Sequence, residues 1–392
     1  MDKKNGVFRD MSRIDLTQWV LLWAITGGRY IETIGLLFVL LKYKWYNIRI
    51  GLFISIILFL HVGIMCLLDG YAINKSVQQI LLIFIYILGY STFFKRAFTD
   101  VETLFSKYRF ICGFVSVFGI VQFLYALLFG VDIFAFLASE PTIRAHSYLQ
   151  EPAYLANFLT PCVLVYLASP QIIKNNKINF TLVLLTYFLT LATIAYVTIF
   201  LYLIYRLFIS RYRVKFILFL VIAIAIGSNI SIEKSVHDND DYLGTMQTKV
   251  EETSSAMDYF DPIFFESLNL SSYSTLTNLW VAFHAPYRLT GTGIGTHAQN
   301  YFRTYKSNHM AYGLNSDEAY SLFSRILSEF GYIGIVLLFL FIIKLFNKSN
   351  IYNIACFFYI IALCIRGGHY TVYGFFMFSI LYYLTSKKGQ YR

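Results

Sequence analysis

The segment Arg144-Ala-His-Ser-Tyr-Leu-Gln-Glu151-Pro152 sets a carboxylate one residue ahead of a proline that begins a long apolar run. Proline suits the first turn of a helix, and a carboxylate there faces the positive end of the helix dipole. Two readings stay open for Glu151. It is a cap ion-paired with Arg144, or it is a general base at a membrane surface, where loss of water raises the pKa that the dipole lowers. A second concentration of chemistry lies further on. From Ser267 to Ser316 the chain has no Asp or Glu, while Arg288, Arg303, Lys306, His284, His297 and His309 accumulate among Trp280, Tyr287, Tyr301, Tyr305 and Tyr312. Arginine forks suit phosphates and aromatic faces suit sugar rings, so this patch fits an anionic, sugar-bearing ligand; a solvated loop resting on lipid headgroups is the plainer alternative. Within it, Gly291-Thr-Gly-Ile-Gly295 has no preceding strand and no following GK[ST], which argues against a nucleotide loop. It reads as a tight turn centred on Gly293 that draws Arg288 and His297 together and leaves amides for an anion, or as an ordinary glycine turn. Finally, Glu318, Ser321, Arg325 and Glu329 share one face of an expected helix over 317–346. They form either a polar wall to a site or, for the last two, an i,i+4 ion pair.

These residues need elements to hold them, and the composition says what those are. Of 392 residues, 57% are hydrophobic, 19% aromatic and only 14% charged, so no soluble catalytic domain is left over. Apolar runs of roughly 20 residues, enough to cross about 30 Å of hydrocarbon, recur along the whole chain. The absence of ten-residue alternating strands excludes an outer-membrane barrel, and the expected fold is an all-α polytopic membrane protein. The net charge of +10 comes from lysines and arginines in short loops between these runs, a topology signal rather than a nucleic-acid surface. The basic loops Lys42/Lys44/Arg49, Lys95/Arg96/Lys107/Arg109, Lys174/Lys177, Arg206/Arg211/Arg213/Lys215, Lys344/Lys348 and Lys387/Lys388 are expected in the cytoplasm. Spans near 50–68, 77–94, 110–138, 152–168, 214–230, 319–346, 351–366 and 370–385 join them. Parity splits 178–209 near Thr193 to Tyr196 and 14–41 at Gly27-Gly28-Arg29, giving about 12 transmembrane helices, with 11 as the alternative. The units are then 1–230, N-terminal helices; 231–317, one long external loop; and 318–392, C-terminal helices. The five cysteines lie in apolar runs with no CxxC, so neither disulfides nor a metal site is expected, and Asp238-Asn-Asp-Asp241 reads as a solvated acidic loop.

Three blocks in this order resemble the bacterial O-antigen polymerase and O-antigen ligase superfamily, membrane glycosyltransferases of the GT-C type. They are RAHSYLQEPAYLANFLTP (144–161), LTGTGIGTHAQNY (289–301) and YSLFSRILSEFGYIGIVLLFLF (320–341), the last carrying Glu329, Gly331 and Gly334. Ligases of the superfamily have a histidine-containing pair where this chain reads Tyr320-Ser321, so the resemblance favours the polymerase branch. It implies an inner-membrane enzyme with a periplasmic site that transfers a growing glycan from undecaprenyl diphosphate to the non-reducing end of a lipid-linked repeat unit. It also implies lipid-linked oligosaccharide substrates, membrane lipids and a chain-length regulator protein as partners, no nucleic acid, no cofactor and no metal. The expected roles are Glu151 as base, Arg144 and Arg288 on the departing diphosphate, and His297, Arg303, His309, Tyr320, Arg325, Tyr301 and Gly293 binding substrate. A ligase and a transporter of polysaccharide or lipid-linked oligosaccharide are the alternatives. The transporter is disfavoured by how few ionisable groups, chiefly Glu32, His61 and Asp132, fall within spans.

Overall fold

The computed structural model describes residues 16–134, 144–209, 260–367, 369–371 and 373–386. Among these there is no strand. The helices are α1 (Leu16–Thr26), α2 (Gly28–Lys42), α3 (Ile48–Asp69), α4 (Asn74–Arg96), α5 (Val101–Phe129), α6 (Pro152–Ala168), α7 (Pro170–Asn175), α8 (Lys177–Leu189) and α9 (Thr193–Ile209). They continue with α10 (Pro262–Phe265), α11 (Leu270–His284), α12 (His297–Thr304), α13 (Leu322–Leu345), α14 (Ile351–Ile365) and α15 (Phe375–Ser386). Four of them, α3, α4, α5 and α13, are long and apolar enough to cross a membrane, and α1, α6, α8, α9, α14 and α15 are shorter apolar helices. Leu60 and Leu67 on α3 and Leu337 on α13 are exposed. In water that would be an unstable surface, whereas against lipid tails it costs nothing.

Helix breaks are present in both segments that parity divides: Gly27 separates α1 from α2, and residues 190–192, just ahead of the expected position, separate α8 from α9. Several boundaries differ from expectation: α5 starts at Val101 and α15 at Phe375. α5 stops at Phe129 because Gly130 takes a left-handed conformation (φ 67°), and α13 starts only at Leu322 because Ala319 and Tyr320 have φ of 58° and 59°. Ser321 then caps α13, its Oγ accepting the Ser324 N–H at 3.1 Å. Glu318 therefore lies ahead of the helix, not on its face. The expected span 214–230 and residues 231–259 of the long loop, Asp238-Asn-Asp-Asp241 among them, lie outside the described residues.

α6 is the hub: it packs against α5, α8, α9 and α14, and nearly every residue in it is buried. Side chains from two of the basic loops meet α1 at one pole, where Lys107 donates to Gln18 Oε1 and Lys42 to Thr17 Oγ1, both at 2.6 Å. At the other pole stand the start of α2, the start of α6, the end of α14 and a small cap made of α10, α11 and α12 with its own core of Phe265, Tyr273, Tyr301 and Tyr305.

The cap is sewn into the bundle through α13. That helix breaks at Gly331 (φ 61°, ψ −158°), a conformation open essentially only to glycine. The segment 287–293 enters the break. The N–H groups of Tyr332 and Ile333 bond to the carbonyls of Arg288 (2.8 Å) and Leu289 (3.1 Å), while Gly293 N–H bonds to the carbonyl of Glu329 (2.8 Å). A Cβ on Gly331 would stand 2.5 Å from the Leu289 carbonyl, so close approach as well as φ requires glycine there.

Candidate active site

Glu151 is the residue just before α6, with Pro152 in the first turn, as the local chemistry predicts. Its side chain is half-buried and caps nothing. Instead Oε2 faces Arg366 at 3.6 Å. Burial pushes the Glu151 carboxyl above the usual carboxylate range, against the downward pull of Arg366 and, more weakly, Arg144. The Arg366 guanidinium lies 5.0 Å over the Tyr320 ring and donates to Tyr320 Oη (3.0 Å) and Ser271 Oγ (3.3 Å). Its backbone is fixed on both sides, since Asn157 Nδ2 donates to the Arg366 carbonyl (2.9 Å) and Gly367 N–H donates to the Tyr320 carbonyl (2.9 Å). α6, α11, the turn before α13 and the end of α14 therefore converge on one carboxylate and one guanidinium.

Beside this pair open two cavities, a largely aromatic one of about 440 Å³ and a more polar one of about 200 Å³, which share Arg29, Glu318 and His369 in their walls. Arg29 starts α2 directly after the Gly27-Gly28 break and donates to His369 Nε2 at 3.0 Å. The His369 Nδ1 lies 2.8 Å from Thr371 Oγ1 and 3.2 Å from the Thr371 N–H. Burial, then the charges of Arg325 and Arg29, push the His369 pKa well down. Glu318 accepts from Tyr154 Oη at 2.5 Å, and Asp317 pairs with Lys75. The smaller cavity is bounded by Lys75, Arg325 and His297.

The remaining expected residues divide. His297 lines the smaller cavity; its Nε2 meets Asn278 Oδ1 at 3.0 Å, and its Nδ1 has no hydrogen-bond partner. Burial, with the nearby Arg325 charge, pushes its pKa down to about 3, so the ring is neutral. Arg325 reaches the same cavity while its Nε lies 3.2 Å from Glu329 Oε1, both side chains fully buried, which makes this more than a surface helix pair. Tyr370 Oη donates to the other Glu329 oxygen at 2.8 Å, and the amides of Gly295 and His297 lie against the same carboxyl. The amides of the glycine turn are thus already taken up by a carboxyl group, that of Glu329. Gly293 (φ 95°) is set by close packing, since a Cβ there would press on Val62.

Others stand away from the cleft. Arg303 donates to the carbonyls of Asp69 (3.1 Å) and Gly70 (3.4 Å) and lies 4.1 Å over the Tyr71 ring, closing the end of α3. Tyr301 is fully buried in the cap core, and His309 stacks on Tyr273 with ring centroids 4.4 Å apart. The aromatic patch that looked like a sugar platform is largely the inside of the cap, since rings repeated along a short helix and its flanks bury one another first. Arg144 is exposed beside Glu151. Arg288 is exposed, two residues from Thr290, which lines a third cavity of about 630 Å³. That groove is apolar, with His61, Phe330, Leu337 and Phe376 in its walls.

Two arginines, Arg366 facing Glu151 and Arg29 in the walls of both cavities, are absent from the candidate residues read off the sequence. A signal for both was present. Each stands beside a Gly-Gly pair at the end of an apolar run where the positive-inside pattern places no basic residue. A basic side chain against that bias needs a reason, and here the reason is the cleft. Set against known proteins, the chain matches no family model, no curated protein and no solved structure.

Proposed function

We propose that this chain is a membrane glycosyltransferase of the O-antigen polymerase kind. It spans the inner membrane twelve times with 214–230 as one crossing and its basic pole in the cytoplasm, and it elongates a surface polysaccharide at the periplasmic pole. The observation that carries the reading is the Glu151–Arg366 pair at the head of the central helix, with two cavities walled by Arg29, Glu318 and His369 beside it. Outside the cell membrane a sugar must arrive activated on a lipid diphosphate, so the site needs a base and cations but no nucleotide pocket. In the proposed reaction the hydroxyl oxygen of the incoming repeat unit forms a bond to the anomeric carbon of the growing glycan, and the bond from that carbon to the diphosphate oxygen breaks. Glu151 takes the hydroxyl proton, and Arg366, Arg144 and Arg29 offset the charge of the departing undecaprenyl diphosphate. The apolar groove lined by Thr290 suits the prenyl tail, with Arg288 two residues along the chain for headgroup charge.

The test is genetic and chemical together. Deletion in the native host should leave single repeat units on the lipid A core. Loss of a ligase would leave long chains on the carrier, and loss of a flippase would trap single units on the inner leaflet. Glu151→Gln, which keeps shape but cannot take a proton, should reproduce the single-unit pattern at normal protein level; normal long chains in that variant would remove Glu151 as the base.

A further inference from the structure

The larger of the two cavities beside the Glu151–Arg366 pair, about 440 Å³, is the one whose chemistry the reaction above leaves unassigned. Aromatic rings surround it: Trp23 and Tyr30 from the α1–α2 turn on one side, Tyr148, Tyr154 and Tyr373 on the other. Tyr154 and Tyr373 pack with centroids 5.0 Å apart, Tyr148 Oη donates to Thr26 Oγ1 at 3.0 Å, and the Arg29 guanidinium lies 4.9 Å from the Tyr30 ring centre. Between the rings stand short polar groups, among them Gln150, Glu318 and Thr371. A lipid tail would set hydrocarbon against the Glu318 carboxylate and the Gln150 amide, and a diphosphate would meet a carboxylate and ring faces with one arginine to hold it. A pyranose matches both halves, because its C–H face covers an aromatic ring while its rim of hydroxyls bonds to carboxylate, amide and guanidinium. The neighbouring 200 Å³ cavity has the opposite character, with Arg29, Lys75 and Arg325 in its wall, and Glu318 stands in both.

We propose that the cavity of Trp23, Tyr30, Tyr148, Tyr154 and Tyr373 is a saccharide subsite, separate from the cationic cavity beside it. Its assignment to the acceptor repeat unit, with the ring presented past Glu318 towards Glu151, rests on the glycosyl-transfer reading; sugar binding itself does not.

Saturation-transfer NMR on the full chain in lipid nanodiscs tests this, using methyl glycosides of a hexose, a deoxyhexose and an N-acetylhexosamine as probes. At least one glycoside should take up saturation at its ring protons. That signal should weaken about tenfold in Tyr30→Ala, which removes an exposed ring, and fall also in Gln150→Ala. Lys75→Ala, which alters only the cationic cavity, should keep it. Silence from all three glycosides, or full saturation in Tyr30→Ala, overturns the subsite. Saturation that behaves as expected in a protein whose deletion leaves long chains intact would retain the subsite and remove the polymerase reading.

Discussion

Burial raises the Glu151 pKa and Arg366 holds it down, so the two residues together set the pH at which the carboxylate can accept a proton. Activity should fall as the medium is acidified through that pKa. In Arg366→Ala the restraint is gone, the pKa rises further, and the acid limb of the pH–rate profile should move to higher pH. Arg366→Lys should return the limb most of the way while leaving a slower enzyme, because a point charge replaces a fork. An acid limb that stays in place in Arg366→Ala would disconnect the pair. The histidines behave in the opposite sense. His297 is held neutral, with its pKa down near 3, and His369 is also lowered, while both take up protons near pH 6.5 once unfolded. The unfolded chain thus binds more protons as pH falls below about 6.5, and stability drops towards pH 3, His297 costing up to about 1.4 kcal/mol per pH unit. The melting temperature in nanodiscs should therefore decline between pH 7 and pH 5, and His297→Gln should flatten that decline. A variant with the full wild-type slope would show that the ring is not buried neutral.

At the scale of elements, α13 carries two features whose loss is measurable. Removing Arg325 leaves Glu329 buried with its charge unpaired, a change worth about 3–5 kcal/mol. Arg325→Ala should accumulate poorly, and Arg325→Met combined with Glu329→Gln should recover much of the lost melting temperature. If Arg325→Ala is as stable as wild type, the pair is not a buried one. Gly331→Ala should cost about 1–3 kcal/mol for backbone conformation alone, before its overlap with the Leu289 carbonyl. These features also mark where sequence reading ends. Pro152 fixes the head of α6, and Gly27-Gly28 fixes a break, because proline and glycine act locally whatever surrounds them. The Glu329 carboxyl at the glycine turn and Arg366 opposite Glu151 depend on helices distant in sequence meeting, and no local spacing encodes that. Arg303 shows the converse, since a basic residue in a basic patch was taken up by the carbonyls ending α3.

For the whole molecule, the twelve-crossing arrangement predicts sidedness. With native cysteines replaced, Met310→Cys in the cap should react in intact cells with an impermeant thiol reagent, while Ser349→Cys between α13 and α14 should react only after lysis. The reverse pattern would invert the protein. The break at Gly331 bears on how such a molecule is assembled. Residues 287–293 leave the ribosome before α13 does, so the acceptors for Tyr332 and Ile333 are made ahead of the donors. In the twelve-crossing arrangement proposed above, hydrocarbon does not tolerate bare amides, so α13 would enter the bilayer as an unbroken rod that satisfies its own backbone and would only later exchange those bonds for the ones to Arg288 and Leu289. The boundary between the external loop and the C-terminal helices would thus be no boundary for folding, because the last step of assembly would run across it. A protein halted before that exchange would have every helix inserted and still no turn against Glu329 to form the wall of the cleft.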